Sequence, residues 1–296
     1  MNNLVSFNNT KLKKIVNVYQ EKYKNSHAQG FGDFLNGCFC LLQICIKFNI
    51  IFDVDIKNHN ISKYFIKEIQ KDKLEDIKYE EIIFLKIPDD IRSNKHKCYN
   101  SLITYLNSIN SEILYIFCNF DPFYNVQDFG RNILQQKFKP TIEIYNSIDN
   151  ILKSFSLHGL EYEVIHIRTG DKYLLNINRK ISEQEINSYK EFILKHTCLK
   201  KKYIIISDNV HLKKSLYLDN NYYIYDCDIC HTGENMKGTD KSLKNTVIDF
   251  FLMSKASKIT SISLKSRGGT GFSRLCSIIF NKPYESLLIN LGFHLH

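Results

Sequence analysis

Short runs of β-branched and aromatic residues alternate along this chain with longer segments of helical period, and no other feature restricts its fold so strongly. Runs of strand length fall at 50–56, 81–87 and 112–118 in the first half and at 161–168, 202–207, 222–225 and 258–262 in the second. Helical periodicity fills the segments at 33–48, 60–69, 98–109, 141–156, 183–196, 210–217 and 243–256. Strands separated by crossover helices lie parallel in sheets covered on their faces, so the expected class is α/β. With 296 residues and 44% apolar content, the chain is expected to form two domains rather than one. The helical stretch 141–156 runs into His158, Gly159 and Leu160, a hinge-like break. The expected division is therefore 1–158 and 159–296.

Charge and cysteine content narrow the partners. A formal charge of +9 arises from 40 basic and 31 acidic residues spread along the chain, which favours phosphate-bearing ligands in general. Tyr and Phe are plentiful, at 18 and 20, but no basic cluster with interleaved aromatics forms a nucleic-acid stripe, so no nucleic-acid partner is expected. Nine cysteines, an odd number, are expected to be free thiols in a reducing compartment. Residues 1–14 lack the apolar core of a signal peptide, and the charge-free stretch 34–46 is shorter than the roughly 20 residues of a membrane span. No membrane segment is expected, and the expected location is the cytoplasm. Cys227, Cys230 and His231 match the short spacing of a haem-attachment or half-zinc motif, but export and a fourth ligand are both wanting. A loop between a strand and a helix is the expected reading, and no metal is assigned.

The segment Val164-Ile165-His166-Ile167-Arg168-Thr169-Gly170-Asp171-Lys172 is a β-branched strand running into a polar, glycine-containing turn. Ligands of open α/β sheets collect at the carboxyl ends of strands, which places chemistry here. His166 and Arg168, two residues apart, point to one face. A planar guanidinium and the compact charge of Lys172 suit a diphosphate. When a sugar leaves a nucleoside diphosphate, negative charge grows on the β-phosphate, and fixed cations there lower the barrier without a metal. Near the C-terminus, Arg267-Gly268-Gly269-Thr270-Gly271 follows a strand and opens a helix, presenting backbone N–H groups to an anion.

The tetrad His166, Arg168, Gly170 and Asp171 resembles the His-x-Arg-x-Gly-Asp peptide of the α1,2-, α1,6- and protein O-fucosyltransferase superfamily. Gly30-Phe31-Gly32-Asp33-Phe34-Leu35-Asn36-Gly37 is similar to the N-terminal glycine loop and helix start of those enzymes. The run from Asp249 to Ala256, followed by Thr270-Gly271-Phe272-Ser273, resembles their C-terminal donor-binding stretch. The resemblance implies a GT-B architecture, two Rossmann-like domains with parallel sheets facing a cleft, with a GDP-sugar held by the C-terminal one. It implies that His166 and Arg168 contact ribose or phosphates, Lys172 the β-phosphate, Asp249 the guanine and Ser273 a phosphate oxygen, with Gly32 and Gly271 in the glycine loops.

The implied activity is metal-independent, inverting transfer of L-fucose, or a related 6-deoxysugar, from GDP to a glycan hydroxyl. Relatives acting on N-glycan cores carry a Glu at the position of Asn176, so a general base must come from elsewhere; Asp33 and Asp171 are the candidates. Gly30 and Gly32 serve either a tight turn or ligand contact. The luminal anchor and stem of the family are missing, which points to a bacterial or viral style of enzyme. Two further readings stay open: a transferase with another nucleotide-sugar donor, and a degenerate module that binds glycan or nucleotide without turnover.

Overall fold

A computed structural model of the chain describes residues 4–23, 26–27, 29–66, 82–85, 91, 94–123, 125, 128–170, 180–230, 232–233, 239–264 and 271–290. It forms two compact units, Met1–Lys139 and Pro140–His296.

In the first unit the strands are β1 (Lys14–Val18), β2 (Lys22–Tyr23), β3 (Ser26–His27), β4 (Ile51–Asp55), β5 (Ile83–Leu85) and β6 (Ile113–Cys118), and the helices α1 (Phe31–Phe48), α2 (Lys95–Asn107) and α3 (Asp128–Lys137). Its main sheet has the order β4-β1-β6-β5 with every pairing parallel. The chain steps outward from β1 to β4, then crosses to β5 and returns to β6, so the order reverses between β1 and β6. The core is built from α1, α2 and the inner strands around Ile15, Leu41, Ile44, Leu102, Ile103 and Ile116. The 60–69 helix is realised as a 3-10 turn over Asn60–Tyr64 that ends at an extended Phe65, and residues 67–69 lie outside the described residues.

α1 is longer than the apolar stretch visible in the sequence, and by length and composition alone it could cross a membrane. All its Leu and Cys side chains, with Phe31, Phe34, Phe39 and Ile44, are instead buried in the unit's own core, while Ile46 is exposed. Gly37 explains how closely it sits on the sheet: a Cβ there would lie 1.6 Å from the Cys118 carbonyl oxygen. Cys38, Cys40, Cys45 and Cys118 are buried free thiols in this layer, and burial raises the pKa of Cys38, Cys40 and Cys45.

The second unit comprises α4 (Ile142–Ser154), β7 (Glu163–Arg168), α5 (Glu183–His196), β8 (Tyr203–Ser207), α6 (Val210–Ser215), β9 (Tyr222–Ile224), α7 (Asp240–Lys255), β10 (Lys258–Leu264), α8 (Gly271–Ile279) and β11 (Tyr284–Ile289). α5 starts where sequence chemistry dictates, at a capping box in which Ser182 and Glu185 each satisfy the other's backbone N–H. The sheet order is β11-β10-β7-β8-β9, all parallel, which is the doubly wound arrangement with its reversal between β7 and β10.

The division between units falls at 139/140, upstream of the 158/159 break read from sequence. The reason is α4: this helix packs on α7 and is tied to it by the Lys244–Glu143 and Lys255–Asp149 pairs. Gly159 does take a left-handed conformation, φ 75, but as the turn from α4 into β7 inside the second unit.

Candidate functional site

β7 is apolar apart from its ends and His166, and it is buried on both faces as a central parallel strand should be. At its carboxyl end the chain turns through Thr169 and Gly170, and Gly170 has φ 104, a conformation that favours glycine and so accounts for the third member of the tetrad. The turn is held by Asp208, the first residue past β8. Its carboxylate accepts from Arg168 Nη1 at 2.8 Å, Thr169 N at 2.7 Å, Thr169 Oγ1 at 2.8 Å and Gly170 N at 3.0 Å. The Asp208 side chain is 2% exposed and that of Arg168 26%, so one corner of the guanidinium is anchored in the protein while the group still reaches solvent.

Across the reversal point, β10 pairs in register with β7, Ser261 opposite His166 and Ser263 opposite Arg168. Paired residues of neighbouring strands project to the same face, so these side chains line one crevice. α8 begins seven residues after β10 ends, and its Phe272 ring packs 5.8 Å from the His166 ring and 5.4 Å from Phe250 of α7. Ser273 is fully buried in the first turn of α8.

His166 Nδ1, Ser261 Oγ and Ser273 Oγ are buried without a hydrogen-bond partner among the described residues. Burial lowers the His166 pKa to about 4; Asp208 opposes that shift and Arg168 adds to it, so the imidazole is neutral at physiological pH. A neutral ring with one unsatisfied nitrogen suits a hydroxyl or a base edge better than a phosphate.

Asp249, on the inward face of α7, is buried with Oδ1 unpartnered, and burial raises its pKa to about 7 against the opposing charge of Lys213. The segment after β9 lies along the same helix. Tyr225 OH donates to Asn245 Oδ1 at 3.0 Å, Asn245 Nδ2 donates to the Asp228 carbonyl at 2.8 Å, and Thr246 Oγ1 bonds both the N–H and the carbonyl of Cys230. Cys227 and Cys230 are buried thiols, and burial pushes Cys227 up to about 12. Among the described residues no group of three or more His, Cys, Asp or Glu side chains is gathered as a metal site.

The structure thus sets His166 of β7 against Phe272, which lies between Gly271 and Ser273 in the first turn of α8, ties Arg168 at the end of β7 to Asp208, and places Asp249 on α7 of the same unit. Asp171, Lys172, Asn176, His231 and the 267–270 stretch lie outside the described residues. Asp33 and Gly32 belong to the other unit, in the first turn of α1, where Asp33 is exposed and its N–H donates to the Gly30 carbonyl at 2.9 Å. Gly30 caps that helix in an extended conformation, φ −62, and neither it nor Gly32 has a positive φ, so a glycine-only turn does not account for them.

Sequence reasoning missed Asp208, Ser261 and Lys213. Ser207-Asp208-Asn209 at the end of an unbroken apolar strand was the available signal, since a carboxylate at a strand's carboxyl end sits at the ligand edge of a parallel sheet.

No protein-family model matches the sequence, and no curated protein matches it by sequence. Solved structures do match in fold. NodZ alpha-1,6-fucosyltransferase co-crystallized with GDP aligns with TM-score 0.51 at 13% identity, covering 90% of this chain and 92% of that one. The same enzyme soaked with GDP-fucose gives TM-score 0.52 at 13% identity over 91% and 93% of the two chains, and the selenomethionine fucosyltransferase NodZ from Bradyrhizobium gives 0.52 at 12% over 90% and 92%. The two parallel α/β sheets of this chain therefore have the GT-B fold seen in those structures.

Proposed function

We propose that the chain is a glycosyltransferase whose C-terminal unit binds a GDP-sugar and which moves L-fucose, or a related 6-deoxysugar, to a glycan hydroxyl with inversion and without a metal. The observation that carries this reading is the β7–β10 reversal. A partly exposed Arg168, fixed by Asp208, ends β7 there, and buried polar atoms of His166, Ser261 and Ser273 have no partner among the described residues. Leaving a buried polar group unsatisfied costs roughly 1–3 kcal/mol, so a set of them at a ligand edge signals partners that arrive from outside. The fold likeness to enzymes crystallised with GDP and GDP-fucose supports the donor class.

In the reaction the acceptor oxygen attacks the anomeric carbon while the bond from that carbon to the β-phosphate oxygen breaks, and GDP departs with the bonding pair. Arg168 receives the growing charge; because Asp208 already fixes the guanidinium, little reorganisation is needed at the moment of bond cleavage. His166, neutral and inward, positions the nucleoside rather than moving a proton. The acceptor proton passes to a carboxylate, Asp33 or Asp171.

GDP, UDP and ADP compared by thermal shift without Mg²⁺ test the donor class: GDP should raise the melting temperature most, and an equal response to all would overturn it. Transfer from GDP-fucose by Asp33→Asn and Asp171→Asn at fixed pH tests the base, and full activity in both would remove it from these residues. A glycan-binding module without turnover is the second reading, favoured by Asn176 where relatives have Glu. Donor binding with no transfer to any acceptor on a glycan array would select it. The expected setting is the cytoplasm, of a host cell if the chain is viral.

A further inference from the structure

The segments that lead into the second unit's sheet enclose a cavity at the end opposite the β7–β10 crevice. Because β7, β8 and β10 run parallel, the residues preceding them meet at one edge, where Leu160, Tyr162, Lys200, Lys202 and Ser257 line about 350 Å³ of space. The length of β7, about 17 Å, separates this edge from Arg168. Backbone bonds stitch it together. Ser257 N donates to the Tyr162 carbonyl at 2.9 Å, Glu163 N to the Lys202 carbonyl at 2.9 Å, and Tyr203 N to the Asn221 carbonyl at 2.8 Å. Asn221 Nδ2 donates in turn to the Leu199 carbonyl at 2.9 Å, so the turn that carries the lysines is fixed to the sheet.

Of the three consecutive lysines on this edge, Lys201 pairs with Glu163. Lys200 and Lys202 have no acceptor among the described residues. Lys195 at the end of α5 and Lys282 before β11 are likewise unpaired at this end, against the carboxylates of Glu161 and Asp219, so the edge keeps a positive balance. Leu160 and Leu199, beside those ammoniums, are 51% and 64% exposed. A single exposed leucine is ordinary; two that flank unpaired ammoniums at the mouth of one cavity match a surface with negative charge outermost and hydrocarbon beneath. An anionic phospholipid layer has that order. An acidic protein would supply the charge without the hydrocarbon.

We propose that the amino-terminal edge of the second unit's sheet is a peripheral docking surface for an anionic phospholipid membrane, one headgroup seated in the cavity between Lys200 and Lys202 and Leu160 and Leu199 entering the acyl boundary. Docked this way, the carboxyl-end crevice of the same unit points away from the lipid and stays open to a ligand from solution. The surface does not depend on which donor the crevice takes.

The full chain contains no tryptophan, so a single one reports its own surroundings. Leu199→Trp, mixed with vesicles of phosphatidylcholine and phosphatidylserine, should shift its emission to the blue and be quenched by brominated acyl chains. Ile142→Trp, at the exposed far end of α4 and about 18 Å along that helix from the residues leading into this edge, should do neither. Co-sedimentation gives the strength. A lysine at an anionic surface is worth about fivefold in partitioning, so Lys200→Ala with Lys202→Ala should weaken binding at least tenfold, and vesicles of phosphatidylcholine alone should bind little. Lys95→Ala with Lys97→Ala removes the same charge from the exposed start of α2 and should cost less than about threefold. Equal losses in the two double variants would mean attraction by net charge alone and would overturn the surface. So would a Leu199→Trp that sediments with vesicles unquenched, or wild-type protein that does not sediment with anionic vesicles. Binding abolished by inorganic phosphate at constant ionic strength would mark a site for a free anion, and the membrane surface would fall. If the Lys200 and Lys202 variant fails to fold, the two tryptophan variants decide.

Discussion

Each of the two units builds a parallel sheet whose strand order reverses beside its first strand, but the two treat that ligand edge in opposite ways. The reversal lies between β1 and β6 in one and between β7 and β10 in the other. The first unit fills that position with itself. Asn17 Oδ1 accepts from Cys118 N at 3.1 Å, its Nδ2 donates to the Phe34 carbonyl at 3.4 Å, and Gly37 lets α1 press onto the strand end. Tyr19 is then stacked between Phe34 at 4.5 Å and His59 at 4.1 Å. Gln20, with both amide atoms buried and unpartnered, is the exception. The second unit keeps His166, Ser261, Ser273 and Asp249 unsatisfied at the equivalent edge. A parallel sheet thus supplies a site only where its reversal point is left unfilled.

The comparison breaks most sharply at Arg168. If the second unit's edge holds a leaving diphosphate, Arg168→Ala should lower GDP release from GDP-fucose roughly 10²- to 10³-fold, about 3–4 kcal/mol, the usual effect of removing a transition-state donor. Far-UV dichroism should stay native, because Asp208 keeps its bonds to Thr169 and Gly170. Unchanged turnover would mean that the clamp is only structural.

The filled edge is probed at Gly37. An added methyl would overlap the Cys118 carbonyl, which is backbone and cannot swing aside, so Gly37→Ala should cost about 2–3 kcal/mol of stability or more. Chemical denaturation measures it. A loss under ~0.5 kcal/mol would show that α1 can lift off the sheet and that the edge is not tightly filled.

How much of this was legible beforehand follows from the same contrast. The second unit's strands were visible because β7, β8 and β10 are rich in β-branched residues and buried on both faces. β1 (KIVNV) was missed although it is an inner strand of the first sheet: it is five residues long and interrupted by Asn17, whose amide is satisfied by Cys118, Phe34 and Cys38, which lie 101, 17 and 21 positions away. Such a pairing leaves no local trace. β11 was missed because an edge strand half open to solvent has a mixed pattern. At the site, His166 and Arg168 were legible as a local motif, while Asp208 and Lys213 enter through bonds that span 40 and 14 positions.

Smaller in effect, but specific to the open edge, is its response to pH. Between about pH 4 and pH 7 folded Asp249 holds a proton that the unfolded chain releases, so this group weakens the fold as pH rises through that window. An ionised carboxylate is also what accepts the base N–H groups, so GDP affinity should rise as pH passes through 7, by up to about tenfold per unit below that point. Calorimetry from pH 6 to 8 checks the slope, and Asp249→Asn should flatten it. A flat wild-type profile would remove Asp249 from the base site.

The smallest effects separate the two edges most cleanly, because they differ in sign. Ser261 Oγ is buried with no partner, so Ser261→Ala removes an unsatisfied group and should raise the stability of the unliganded protein by about 0.5–1 kcal/mol. The same change should weaken GDP binding several-fold if that hydroxyl meets the donor. Asn17→Ala, at the filled edge, strips a partner from a buried N–H and should instead destabilise by about 1–3 kcal/mol. Paired melting curves with and without GDP read both quantities. Opposite signs for the two variants would show polar groups held for a ligand at one edge and for the fold at the other; destabilisation by both would mean that the second unit's crevice is simply a second core.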